Sequence, residues 1–489
     1  MTALLIRGGC LYPADEGASV IPDGAVLARD GRIVAVGPSA QVPVPSDAEI
    51  IDATGHLILP GFVNPHWHEM FAMRFSPRAA LRPPWDRDDR PAFMALGGDV
   101  CQVSAAFDSF HDLIGRLSDD EAAAIARYSM WTQLRSGVTT LGDVGSLNKP
   151  DALADAALHL GIRASVSTWA SDAVCLPGAS RFQRTRDADA LLADAERLLQ
   201  RAAADRTGHL RARPTSVYGT NMTDELGAGL ARLVAEHDVP FATHVGALRN
   251  EYEVMRTYFG ATPVRRFADL GLLGPRFMAV HTAFVDEDER KLLVESGVHV
   301  NFSPAKYGNA GESTLTETLA IPRFRRAGLD VSLSTDGTAL PLGGMAEAMK
   351  ATYQVFNEIA ADPTEVRPTD ALAMATRIAA RGLDWEQQVG SLEVGKQADL
   401  VLVPAEDWRY LLNPRPLEGF LALGGSHDVD TVIVGGRVLI RGGRSTEVDE
   451  AELEANYVEA VGSFSVRCLG VEPDLVAALT SRSRTGLEV

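Results

Sequence analysis

The chain has 489 residues and 46% hydrophobic content, enough to bury a large core, and its length allows two or three domains or one large barrel with an appendage. A formal net charge of -19 opposes the attraction on which nucleic-acid and anionic-membrane binding rest, so the expected partner is a small molecule and neither of those surfaces. Cys10, Cys101, Cys175 and Cys468 show no C-x-x-C spacing, which argues against both a disulfide framework and a thiolate zinc knuckle.

Residues 1–7 lack a basic region followed by a long apolar core, and no stretch approaches the roughly 20 apolar residues of a membrane span. A cytoplasmic location is the expectation. Residues 1–54 read as short β-type runs broken by Gly and Pro, such as Gly24-Ala25-Val26-Leu27-Ala28. That texture returns only in residues 386–447, for example Thr431-Val432-Ile433-Val434, so the two ends are expected to pair into one small β-sandwich domain. Residues 55–385 alternate short apolar runs with amphipathic stretches, the pattern of repeated βα units.

Eight such runs end near His68, Gly145, Trp169, Gly219, Gly246, Ala283, Pro304 and Gly337. Helices are predicted over 119–136, 187–204, 223–237 and 286–296, several opening at Asp or Thr caps. The fold class is therefore α/β, a (β/α)8 TIM-like barrel with a longer than usual first loop from about 69 to 117. Residues 448–489 form a C-terminal helical extension, with a helix near 449–465 suited to a subunit interface.

Such a barrel carries its chemistry at the C-terminal ends of its strands. Residues two apart in a strand point the same way, so His66 and His68 can grip one metal ion from one side. Alone the pair is half a site. His244 closes the fifth run, His281 the sixth and Asp336 the eighth, whereas His159, His209, His237 and His427 fall on helices or turns. Four rim histidines and an aspartate argue against ordinary core imidazoles.

On Leu59-Pro60-Gly61-Phe62-Val63-Asn64-Pro65-His66-Trp67-His68, Arg135-Ser136-Gly137-Val138-Thr139-Thr140, Ser334-Thr335-Asp336-Gly337 and Val389-Gly390-Ser391-Leu392-Glu393-Val394-Gly395-Lys396-Gln397-Ala398-Asp399-Leu400, the chain resembles the amidohydrolase superfamily. The resemblance covers nearly the whole chain. It is closest to the branch of triazine hydrolases, cytosine-type deaminases and methylthioadenosine-type deaminases. It implies one divalent ion, usually Zn²⁺, on His66, His68, His244 and Asp336; ligand softness alone does not separate Zn²⁺ from Fe²⁺ or Mn²⁺. No lysine ends the fourth run, so a second, bridged metal is not expected.

Three neutral imidazoles and a carboxylate leave one position for water, whose pKa the ion lowers. Asp336 then serves as base, and His281 hydrogen-bonds the attacking hydroxide or the substrate atom that gains charge. The branch usually carries a Glu three residues after the strand-5 histidine; here that residue is Ala247. Glu251 and Lys306 are candidate substrate-binding groups, as are Trp85 and Gln102 in the first loop, where Trp85 and Phe93 suit a lid over a flat ring.

Hydrolytic deamination of a small nitrogen heterocycle is the expected reaction, an aminohydrolase activity. The absence of Glu at 247 keeps open ring-opening of a cyclic amide or ureide, or dechlorination, and a catalytically inactive metal-binding scaffold is the reading of another class. Branch members are often homodimers or larger, so a homodimer or larger homo-oligomer is the expectation here. Gly390 to Lys396 nearly spells a phosphate loop, but Gln397 stands where Ser or Thr would hold Mg²⁺.

Overall fold

The computed structural model describes residues 3–69, 99–310, 319–337 and 344–480. Its central element is a ring of parallel strands: β1 (Phe62–Trp67), β2 (Val138–Asp143), β3 (Arg163–Val166), β4 (Leu210–Ala212, resuming as Thr215–Tyr218), β5 (Phe241–Val245), β6 (Phe277–His281), β7 (His299–Phe302) and β8 (Val331–Leu333). The first half of β4 pairs with β3 and the second half with β5. A parallel bridge between Trp67 and Asp336 joins β1 to the chain just after β8. The result is a TIM-barrel-like α/β fold.

Strands of this kind are covered on both faces, which is why they read as continuous apolar runs instead of alternating ones. All five residues of β5 and of β6 are buried. The predicted helices follow the strands. Ser118 accepts from Glu121 N in a reciprocal capping box that starts Asp119–Arg135, and Asp187, Thr223 and Asp286 cap three more.

Strands from both chain ends lie in a single nine-stranded hydrogen-bonded sheet, in which His56–Pro60 pairs antiparallel with Leu400–Pro404. The sequence reading started the barrel at residue 55. Instead His56–Pro60 belongs to the end sheet and the barrel begins at Phe62, because Pro60-Gly61 breaks what looks like one apolar run. A Cβ on Gly61 would sit 2.2 Å from Thr139 Oγ1, so only glycine lets the chain turn from one sheet into the other. Within the predicted first loop, Val100–Ile114 forms a helix, started by Asp99, whose side chain accepts from Cys101 N and Gln102 N.

The C-terminal helix Glu450–Leu469 packs on Asp119–Arg135, where Tyr128 and Tyr457 stack at 4.4 Å between ring centroids. Among the described residues no helix is long and apolar enough to cross a membrane.

One ion pair ties barrel to end sheet. Arg163 of β3 donates to both Asp399 oxygens, at 2.9 and 3.2 Å, with each side chain about 2% exposed. Asp399 also accepts from Gly435 N at 2.7 Å. Removing one partner leaves the other charge buried and unpaired, so Asp399→Ala is expected to cost about 3–5 kcal/mol in urea unfolding. A loss below about 1 kcal/mol would show that the guanidinium finds water or another partner.

Candidate metal centre

The closure of the barrel builds the site. Asp336 N donates to His66 O at 3.1 Å, which draws the end of β8 against β1. A Cβ on Gly337 would lie 2.4 Å from His68 Cβ, so the glycine after Asp336 permits this approach. His66, His68, His244 and Asp336 are all buried and offer ligand atoms within 4.8 Å of one another. Asp336 Oδ1 is 3.3 Å from His68 Nε2 and 3.6 Å from His66 Nε2.

The tautomers suit ligation. His244 Nδ1 donates to Val217 O at 2.6 Å, which leaves the Nε2 lone pair free to face the cluster. Both ring nitrogens of His66, and Asp336 Oδ2, are buried without a hydrogen-bond partner. Such groups cost roughly 1–3 kcal/mol each unless something else satisfies them. Three imidazoles and one carboxylate are a donor set that a single divalent transition ion fits.

Burial drives His68 well below the ordinary imidazole range and His244 down to about 3, so both are neutral, as ligands must be. For Asp336 burial alone would raise the carboxyl. Lys306, with His66 and His281, outweighs that and holds it well below the usual range.

His281 Nε2 lies 3.6 Å from Asp336 Oδ2, beside the ligand set. Its Nδ1 shares a hydrogen bond with the Tyr307 hydroxyl, and burial pushes its pKa well down. His281, Thr282 and Asp336 all have positive φ, at 79°, 46° and 56°. Non-glycine residues held this way cost of order 1–3 kcal/mol each and concentrate at functional sites. Lys306 Nζ is 3.4 Å from Asp336 Oδ2, with the side chain 11% exposed.

A model of the amidohydrolase family matches residues 57–439. The chain belongs to the amidohydrolase family. It is 32% identical over 472 residues to a 5-methylthioadenosine/S-adenosylhomocysteine deaminase of Symbiobacterium thermophilum, covering 94% of this chain and 98% of the relative. Among solved structures, an adenosine deaminase from Xanthomonas campestris with bound zinc superposes with a TM-score of 0.79 at 25% identity, over 95% of this chain and 98% of that one. The atrazine chlorohydrolase of Arthrobacter aurescens TC1, complexed with zinc, gives 0.78 at 24% identity over 94% and 100%, a likeness of fold. The family expected from the motifs is borne out, and with it an enzyme of the aminohydrolase class.

The walls of this amidohydrolase site are largely apolar. Ala247, 8% exposed, packs in a cluster with Val100, Val103, Phe107, Trp169 and Tyr218. Tyr218 stacks on His244 at 4.8 Å, and Trp169 meets His68 edge-on at 6.4 Å. Glu251 turns away from the role expected of it. Its carboxylate accepts from Gly246 N at 3.0 Å and Ala247 N at 2.9 Å, so it fastens the turn after β5, where Gly246 has φ 59°. Burial pushes that carboxyl up to about 7 against the pull of the two N–H donors. Gln102 sits exposed on the first turn of Val100–Ile114, and Trp85 and Phe93 lie outside the described residues.

Three features of the amidohydrolase escaped sequence reasoning. Tyr307 stands next to Lys306 in the chain, but no spacing signals its bond to His281. The ring wall of Phe107, Trp169 and Tyr218 comes from three separate segments. Beneath the ligands, buried Glu69 accepts from the Ser146 hydroxyl, and Asp143 accepts from Gly145 N at 2.8 Å and Ser167 N at 2.9 Å. Burial, then the neighbouring Asp143, pushes Glu69 well above the carboxylate range. Arg213 completes that layer by donating to Pro65 O at 2.6 Å, which supports the strand carrying His66 and His68.

Proposed function

We propose that this amidohydrolase is a zinc-dependent aminohydrolase that releases ammonia from a small amino-substituted nitrogen heterocycle, working from a (β/α)8 barrel flanked by a β-sandwich. The observation that carries the reading is the buried set His66, His68, His244 and Asp336, whose ligand atoms lie within 4.8 Å with His281 alongside. An ion held there supplies Lewis acidity and lowers the pKa of water toward neutrality.

The chain's own groups do the rest. Asp336 accepts the proton of the attacking water on Oδ2, an oxygen that no hydrogen bond occupies. It then returns that proton to the leaving amine. His281, steadied by Tyr307, donates from Nε2 to the ring atom that gains charge. Phe107, Trp169 and Tyr218 exclude water and offer flat faces to a ring. Lys306 meets the polar edge of the substrate, and Glu251 acts indirectly, through the turn at Gly246 and Ala247.

The deaminases that this chain resembles act, by their names, on adenine nucleosides and their sulfur derivatives, which favours an amino group on a purine-like ring. The same reading takes the cytoplasm as the location and a homodimer or larger homo-oligomer as the assembly. Ala247 supports a second reading. With an apolar residue beside His244, hydrolysis of a cyclic amide or ureide, whose carbonyl needs no protonated ring nitrogen, is the competitor.

Zinc-loaded protein, assayed against aminopurine nucleosides, aminopyrimidines and pterins and against cyclic ureides, separates the two. Ammonia release from an amino heterocycle is expected. Turnover confined to ureides, with ring-opened product and no ammonia, would overturn deamination in favour of the second reading.

A further inference from the structure

Most of the described large apolar side chains that reach solvent are single residues on separate elements, such as Leu158, Ile359 and Val394, and need no explanation. One stretch differs. Trp408, Leu411 and Leu412 are 76%, 75% and 95% exposed in one turn between strand Leu400–Pro404 of the end sheet and helix Pro416–Leu423. Leu423, at the end of that helix, is 52% exposed.

The turn is firmly pinned. Arg409 donates to both Asp407 oxygens and, at 2.8 Å, to Asp428 Oδ2. Tyr410 is buried, and a Cβ on Gly419 would lie 3.1 Å from its Cδ1. Tyr410 N donates to Asp407 O and Asn413 N to Tyr410 O, both at 3.0 Å. With Arg409 and Tyr410 turned inward, the residues on either side are held outward. Leu412 is kept at φ 62°, a left-handed conformation that bulky residues seldom adopt and that concentrates at functional sites. The bond to Asp428 also sets the turn beside the end of the helix, because Asp428 Oδ2 lies 3.1 Å from where a Cβ on Gly424 would stand. Leu423 therefore borders the other three.

Charge and area both fit a second copy of the chain. Asp407 pairs with Arg409 at 2.6 Å and Arg415 with Glu418 at 2.8 Å, and residues 407–423 hold no other charged side chain. The stretch thus carries none of the net charge of -19, and two copies meet there with little repulsion. Scaled by their exposures, one Trp and three Leu present roughly 400 Å² of apolar surface. Pairing the stretch with itself removes roughly 800 Å² from water, the apolar share of a specific interface of about 1,300 Å² in total. The C-terminal helix Glu450–Leu469, by contrast, already buries Leu453, Tyr457, Val461 and Phe464 within its own chain.

We propose that Trp408, Leu411, Leu412 and Leu423 form the centre of a two-fold interface between two copies of this chain. The proposal rests on the homo-oligomeric assembly taken above and is independent of the reaction.

Sedimentation velocity of the zinc-loaded protein at micromolar concentrations tests it. The wild type is expected to be a dimer or an even-numbered oligomer. Leu412→Asp puts a charge into the apolar face of both copies, and Asp accepts a left-handed backbone more readily than Leu, so the fold should not suffer. It is expected to weaken dimerisation at least about thirtyfold at unchanged circular dichroism and zinc content, as is Trp408→Ser. Val394→Asp, at an exposed apolar residue outside the stretch, is expected to leave association unchanged.

A monomeric wild type would overturn the interface together with the assembly behind it. An oligomer that both variants leave intact, or that Val394→Asp weakens equally, would overturn the interface alone. Flotation of the wild type with phosphatidylcholine vesicles, lost in Leu412→Asp, would assign the patch to a membrane surface instead. Ammonia release, measured on the same preparations, tests the aminohydrolase reading separately, and its absence leaves the interface standing.

Discussion

His66→Ala is expected to weaken zinc binding by at least about a hundredfold and to abolish turnover, while far-UV circular dichroism keeps the native spectrum. Changes to groups that merely orient a metal ligand already cost about 10–100-fold, and removing the ligand itself exceeds that. His66 is the informative position because neither of its buried ring nitrogens has a hydrogen-bond partner in the protein. Its nearest polar neighbour is Asp336 Oδ1, 3.6 Å from Nε2, so its loss removes one long contact to a carboxylate and the fold is expected to tolerate it. Metal analysis after dialysis against a weak chelator gives the readout. Retention of one zinc per chain would remove His66 from the ligand set, and loss of zinc with undiminished turnover would remove the metal from the reaction.

The second large effect falls on Asp336. Asp336→Asn keeps one oxygen at nearly the same place but cannot accept a proton near neutral pH, and general-base catalysis of this kind is worth about 10²–10⁴-fold. kcat for ammonia release is expected to fall by at least about 10²-fold in variant reloaded with zinc, with far less change in KM. The variant also leaves Lys306 facing a neutral amide at 3.4 Å, so some loss of thermal stability accompanies the catalytic loss. A variant that binds zinc and retains more than about a tenth of wild-type kcat would move the base role elsewhere, with His281, 3.6 Å from Asp336 Oδ2, as the next candidate.

The cluster of His66, His68, His244 and Asp336 was legible in the sequence because each member lies at or just past the C-terminal end of a strand. A period of two puts His66 and His68 on one side of β1, and alternation of apolar runs with capped helices puts His244, His281 and Asp336 at the same end of the barrel. Helix starts were legible for the same local reason, since Asp187, Thr223 and Asp286 cap through their own side chains. Contacts between distant segments were not. Tyr307 meets His281 across 26 residues, and Arg163 meets Asp399 across 236.

Glu251 was visible as an acid near β5, but only the register of the following turn reveals that both its oxygens are taken by backbone N–H groups. The start of the barrel was misplaced for a related reason. His56–Pro60 and Phe62–Trp67 read as one apolar run, and only their pairing partners assign them to different sheets. Ala247 is the reverse case. Its sequence position signalled a departure from the branch, and the structure gives that departure a setting, an apolar wall beside His244.

The most direct test of the account is ammonia release by metal-free protein as zinc is returned in measured steps. One ion on His66, His68, His244 and Asp336 predicts activity that rises linearly and breaks at one equivalent of zinc per chain. Activity already present in the metal-free protein, or a rise that continues to two equivalents, would contradict it.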